Sequence, residues 1–104
     1  MNEQQIRLLN EMKKLIKQGK RKFVIRKDRD YLSELFEIGI TVEEAWEYVL
    51  SLNNHYYFHD HKFSYTKSEN LLTFKRLINN NKVYIKIKIE NNETVCLSFH
   101  KDFN

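Results

Sequence analysis

The sequence predicts an α+β domain in which N-terminal helices pack on a C-terminal antiparallel β-sheet. Apolar residues recur at the three-and-four spacing of helices up to about residue 50, and from Tyr57 onward they alternate with period 2. Size gives the second argument: 104 residues, 41% hydrophobic with 7 Phe, 6 Tyr and 1 Trp, close one core and leave no room for another. Residues 1–104 therefore read as a single domain.

The first helix starts at Asn2 and Glu3 and carries Ile6, Leu8, Leu9, Met12, Leu15 and Ile16 on one stripe. Gly19 ends it, and Lys13, Lys14 and Lys17 complement the negative end of its dipole. In QGKRKFVIRKDRD, Phe23, Val24 and Ile25 form a short strand of about five residues between basic flanks, Lys20 to Lys22 and Arg26 to Arg29. Asp28 is the expected N-cap of a second helix through Leu32, Leu35, Phe36 and Ile38, closed by Gly39. Thr41 and Glu44 have capping-box spacing for a third, which buries Val42, Ala45, Trp46, Val49 and Leu50 and turns Glu43, Glu44 and Glu47 outward. Strands follow near residues 62–65, 71–78, 83–89 and 94–100, separated by Asn-rich turns at 79–81 and 90–93, because Asn tolerates positive φ.

Composition removes several function classes. A single cysteine, Cys96, excludes an internal disulfide framework and a CxxC site. With no Pro and 2 Gly, phosphate-cradling glycine loops and the dinucleotide fingerprint are missing, so no cofactor is expected. No stretch approaches the roughly 20 apolar residues of a membrane span and no leader pattern opens the chain, which points to a cytoplasmic protein. The net charge of +4 is unevenly placed. Residues 1–30 hold ten Lys/Arg against four acids, residues 31–54 none against five Glu, and residues 55–104 eight against five. Basic segments on either side of an acidic helix pair suit a polyanion-binding surface.

The last hairpin is the most informative segment. Val83, Ile85, Ile87 and Ile89 share one face and Tyr84, Lys86 and Lys88 the other, while Val95, Leu97 and Phe99 oppose Thr94, Cys96, Ser98 and His100. For the apolar faces to coincide the loop must have an odd length, and a loop of Asn91, Asn92 and Glu93 pairs Tyr84 with His100, Lys86 with Ser98 and Lys88 with Cys96. A phenol, an imidazole, a hydroxyl and two ammonium groups then meet on the solvent face, with directly paired Cβ atoms roughly 4.5–5.5 Å apart. For the preceding strand, a loop of Asn79 to Lys82 pairs Ile78 with Val83 and Phe74 with Ile87. It puts Lys75 on the Tyr84 face and turns Arg76 inward unless a bulge exchanges them.

Such a face suits RNA cleavage without a metal, because the nucleophile is the substrate's own 2′-OH. One group must take its proton, another must protonate the departing 5′-oxygen, and cations must hold the phosphate. His100 fits either proton role near neutrality, Tyr84 orients the phosphate or moves a proton, and Lys75, Arg76 or Lys86 supplies charge. Lys88, Lys22 and Arg26 extend the RNA-binding surface. The histidines His55, His59 and His61 with Asp60 have zinc-compatible types, but their spacing aligns ligands only on a helix, and NNHYYFHDHKF reads as a loop. Cys96 reads as a small strand residue.

With these residues the chain resembles the MqsR family, the motility-quorum-sensing-regulator toxins of bacterial type II toxin–antitoxin systems, within the wider RelE-like endoribonucleases. RLLNEMKKLIKQGK is similar to the family's first helix, YLSELFEIGITVEEAWEYVLSL to its middle pair, and KVYIKIKI with VCLSFH to its last two strands. The resemblance implies a RelE-like toxin fold and an mRNA interferase, acting with or without the ribosome and held inactive by a cognate antitoxin protein. It carries the catalytic tyrosine onto Tyr84, the basic residue after the SF dipeptide onto His100, and the basic residue of the middle loop onto His59 after Phe58. Ungapped spacing lands the fourth position on Leu71, whereas matching the strand by Phe74 brings Lys75 or Arg76 there. The alternative is a binding module of the same fold that holds RNA or a partner without cutting. A DNA-binding regulator ranks below both, since the middle helices are acidic and lack a polar recognition helix.

Overall fold

The computed structural model describes residues 1–59 and 70–102. Helix α1 (Glu3–Lys17) leads to β1 (Arg21–Phe23), then α2 (Tyr31–Ile38) and α3 (Val42–Leu50). A turn of 3₁₀-helix at Asn54–Tyr56 precedes β2 (Leu71–Ile78), β3 (Asn81–Glu90) and β4 (Glu93–Lys101). The α+β class is thus as expected. The expected strand near 62–65 falls outside the described residues.

Local chemistry sets the helix ends. Asn2 caps α1 in a capping box with Gln5, and Thr41 does the same for α3 with Glu44, each satisfying backbone N–H groups that the helix leaves unpaired. Asp30, not Asp28, caps α2 by accepting from the Leu32 N–H at 3.0 Å. Gly39 then stops α2 at φ 88°, a left-handed conformation that costs glycine nothing.

The sheet has the order β1-β4-β3-β2. It is mixed rather than wholly antiparallel, because the three-residue β1 lies parallel to β4, with Phe23 beside Cys96. The helices cover one face. Leu9, Met12 and Ile16 of α1, Leu35 and Ile38 of α2 and Ala45, Trp46 and Val49 of α3 meet Leu72, Phe74, Ile78, Val83, Ile85, Ile87, Cys96 and Phe99 in one buried cluster. Phe23 joins β1 to this core, its ring 4.6 Å from Tyr31 and 4.9 Å from Trp46. No helix among the described residues is long and apolar enough to cross a membrane.

Both hairpin loops contain the expected asparagines but are shorter than expected. Asn79 and Asn80 (φ 50° and 65°) and Asn91 and Asn92 (φ 51° and 60°) form two-residue turns with both central residues left-handed, so Ile78 pairs with Asn81 and Glu90 with Glu93. In the β3–β4 pair the parity is restored by a bulge: Lys86 pairs with Ser98 and Ile87 with Cys96, which makes Leu97 the extra residue. The bulge corrects the expected faces of β4. Below it the strand is turned over: Cys96 faces the helices instead of pairing with Lys88, and Lys88 pairs with Val95. Thr94 turns inward with it, buried, and its hydroxyl donates to the Met12 carbonyl of α1 at 2.8 Å. Thr94→Val removes that donor and is expected to cost about 1–2 kcal/mol in urea-induced unfolding.

Candidate functional site

On the sheet face away from the helices, three antiparallel strands carry side chains in rows. Lys75, Tyr84 and His100 are direct neighbours across β2, β3 and β4. Thr73, Lys86 and Ser98 form the next row, and Leu71, Lys88, Val95 and Lys22 of β1 the third. Neighbouring strands lie roughly 4.8 Å apart, so each row is a compact line of functional groups.

The first row is held from several sides. The Tyr84 and His100 rings stack with centroids 5.5 Å apart and 23° between planes. His100 Nδ1 lies 2.8 Å from the Lys101 carbonyl oxygen. A carbonyl only accepts, so Nδ1 carries the proton of the neutral ring and Nε2 is left as the basic nitrogen. The Lys75 ammonium is 3.0 Å from the Asp102 carboxylate and 4.0 Å from the centre of the Phe58 ring. Asp102 is itself fixed, its side chain 6% exposed and its N–H donating to the Lys82 carbonyl at 2.7 Å. Phe58 is anchored by its N–H to the Thr73 carbonyl at 2.9 Å. A flexible lysine thereby becomes a positioned charge.

Arg76 does not belong to this row. Alternation along β2 turns it to the helix side, where its guanidinium donates to Ser51 Oγ at 2.7 Å and lies 4.8 Å and 4.4 Å from the rings of Tyr48 and Tyr56. It snorkels to the end of α3 and leaves Lys75 as the cation beside Tyr84. Lys86 shares the face but is not a surface lysine: it is 8% exposed, its ammonium 5.9 Å from the centre of the Tyr84 ring. Thr73 and Val95 of the same face are buried too, so the central rows are not the open solvent surface that alternation alone predicts.

The outer cations carry neighbours of their own. Lys88 pairs with Glu90, holding that carboxyl below the usual range by a direct hydrogen bond, and Lys22 lies 3.9 Å from Glu93. Arg26 is exposed and lines a narrow cleft with Ser98 and His100. His59 is exposed and follows Phe58 on the Lys75 side of the first row. His55 sits in the 3₁₀ turn against Tyr56, whereas Asp60 and His61 fall outside the described residues. Among the described residues, no group of three His, Cys, Asp or Glu side chains is arranged to hold a metal ion.

Asp102 is the residue that sequence reasoning missed. Its signal was its place two residues after His100, which at the period of a strand returns it to the same face.

No protein-family model matches the chain, and no curated protein matches it significantly. The functional reading therefore rests on the chemistry of the row.

Burial pushes the Cys96 thiol well above its ordinary range, so its nucleophilic thiolate is suppressed. Thiol reagents are expected to label Cys96 of the native protein at least roughly a hundredfold more slowly than the denatured chain, as read by mass spectrometry over time. Equal rates would contradict its burial.

Proposed function

We propose that the protein is an endoribonuclease with a RelE-like toxin fold, acting in the cytoplasm on single-stranded mRNA by 2′-OH attack and requiring no metal. The observation that carries this reading is the cross-strand row of Lys75, Tyr84 and His100, which lines up a fixed cation, a phenol and an imidazole with a basic Nε2. In the proposed step His100 Nε2 takes the proton of the 2′-OH as its oxygen bonds to phosphorus. The bond from phosphorus to the 5′-oxygen breaks, and the Tyr84 hydroxyl gives that oxygen its proton. Lys75, steadied by Asp102, faces the charge that builds on the phosphate oxygens, and Lys86 adds positive potential from beneath. The products are a 2′,3′-cyclic phosphate and a 5′-OH, and a proton passing back from the His100 imidazolium to the Tyr84 phenolate restores both groups.

The similarity of VYIKI and VCLSFH to the last strands of MqsR toxins supports the same assignment of Tyr84 and His100. In that reading a cognate antitoxin is the protein partner. His59, exposed and next in sequence to the Phe58 that packs on Lys75, assists from the loop.

Purified protein is expected to cut a defined RNA in EDTA, leaving those two end groups. His100→Ala and Tyr84→Phe should each lower the rate by at least about tenfold, since positioned proton transfer contributes roughly 10²–10⁴. RNA binding without cleavage, both free and with ribosomes present, would overturn the enzyme and leave a binding module of the same fold.

A further inference from the structure

β1 accompanies β4 only as far as Phe23 beside Cys96, with a last bond from the Val24 N–H to the Cys96 carbonyl at 3.0 Å. From Leu97 to Lys101, no strand lies on the outer side of β4 among the described residues. The segment joining β1 to α2 and the first turn of α2 border that open edge instead. Between them runs a narrow cleft whose polar lining is Arg26, Arg29, Glu34, Ser98 and His100. His100 thus belongs both to this cleft and to the row with Tyr84 and Lys75.

The two arginines suit an anion. Arg29 lies 3.8 Å from Glu34, with both side chains partly exposed, a loose pair of little energetic worth. A phosphodiester offers two oxygens in the fork geometry that guanidinium groups match, and an exposed arginine gives up little to bind one. The cleft's volume of about 20 Å³ has room for little more than a water molecule, so a phosphate meets the arginines at its mouth and not within it.

We propose that this cleft is a second phosphate subsite for the RNA strand, adjacent to the scissile phosphate, with Arg26 and Arg29 as its cations. The inference rests on the reading of the protein as an RNA-binding enzyme and adds the path of the strand. One strand spacing beyond His100, roughly 5 Å, is the position a longer β1 would fill. Because β1 stops at Phe23, the RNA turns over the open edge of β4 there and meets the arginines. The short β1 thereby has a functional consequence: further pairing along β4 as far as His100 would close the path.

The test uses a fluorescent RNA oligonucleotide made uncleavable by 2′-deoxy substitution, with anisotropy titrations between about 50 and 200 mM salt, a range over which affinity carried by phosphate contacts falls steeply. Arg26→Gln/Arg29→Gln is expected to weaken binding at least about tenfold and to flatten the log–log salt slope by about 0.7, the value for one phosphate contact on a single strand. Lys14→Gln/Lys17→Gln, at two exposed positions of α1, removes the same two charges and should leave the slope within error of the wild type. Glu34→Gln breaks the same ion pair while keeping Arg29, and should bind as tightly as the wild type or more so. An unchanged slope and affinity in the arginine variant would overturn the subsite while leaving the enzyme reading intact. Equal weakening by Glu34→Gln would also overturn it, since the loss would then be structural. Absence of RNA binding by the wild type would overturn the enzyme reading and the subsite together.

Discussion

The register of the β3–β4 hairpin is the constraint on which the rest depends. The two-residue turn at Asn91 and Asn92 starts the pairing at Glu90 and Glu93. Continued without interruption, that pairing would set Tyr84 opposite Phe99 and drive His100 into the core. The extra residue at Leu97 shifts the register by one, so Phe99 goes inward and Ser98 and His100 join Lys86 and Tyr84. One bulge thus reconciles a tight turn, an apolar core and a polar row, and it lies next to the residues it re-aims.

The helices make that arrangement rigid. α1 reaches β4 through the buried bond from Thr94 to Met12, and α2 is tied to the β2–β3 turn by the Asn79 side chain, which donates to the Ile38 carbonyl at 3.1 Å. The Lys13 ammonium donates to the Leu52 carbonyl just beyond α3, and its partial burial, with Lys17 nearby, lowers its pKa. Side chains on the opposite face are therefore carried by strands whose backs are packed against a fixed layer. That is the condition for holding reacting groups in place. Asp102 completes it by fixing Lys75 from two strands away.

Much of this was legible from single residues and much was not, for physical reasons. The capping box of Thr41 and Glu44, the stop at Gly39 and the left-handed asparagines are local, and local chemistry is visible in sequence. The pairings of Tyr84 with His100 and Lys86 with Ser98 follow from parity, and parity also puts Lys75 on the correct face although the loop after it is two residues shorter than expected. The bulge at Leu97 was invisible because Thr94 and Cys96 read as a polar face, and only the distant partner Met12 makes an inward threonine comfortable. The parallel pairing of β1 with β4 and the seat of Arg76 between Tyr48 and Tyr56 are likewise contacts across long stretches of chain. The burial of Lys86, Thr73 and Val95 shows the limit of alternation. It assigns a side chain to a face and says nothing of how deep that face lies.

If the proposed chemistry holds, Lys75, Tyr84 and His100 respond to RNA as one site. Its most direct test is an NMR titration of the protein with a short uncleavable RNA, following the His100 and Tyr84 ring resonances, the Lys75 terminal CH₂ group and the Arg76 Nε–H. The first three are expected to shift along one binding curve while Arg76 stays still. Shifts at Arg76 with a silent Tyr84 and His100 would contradict that chemistry.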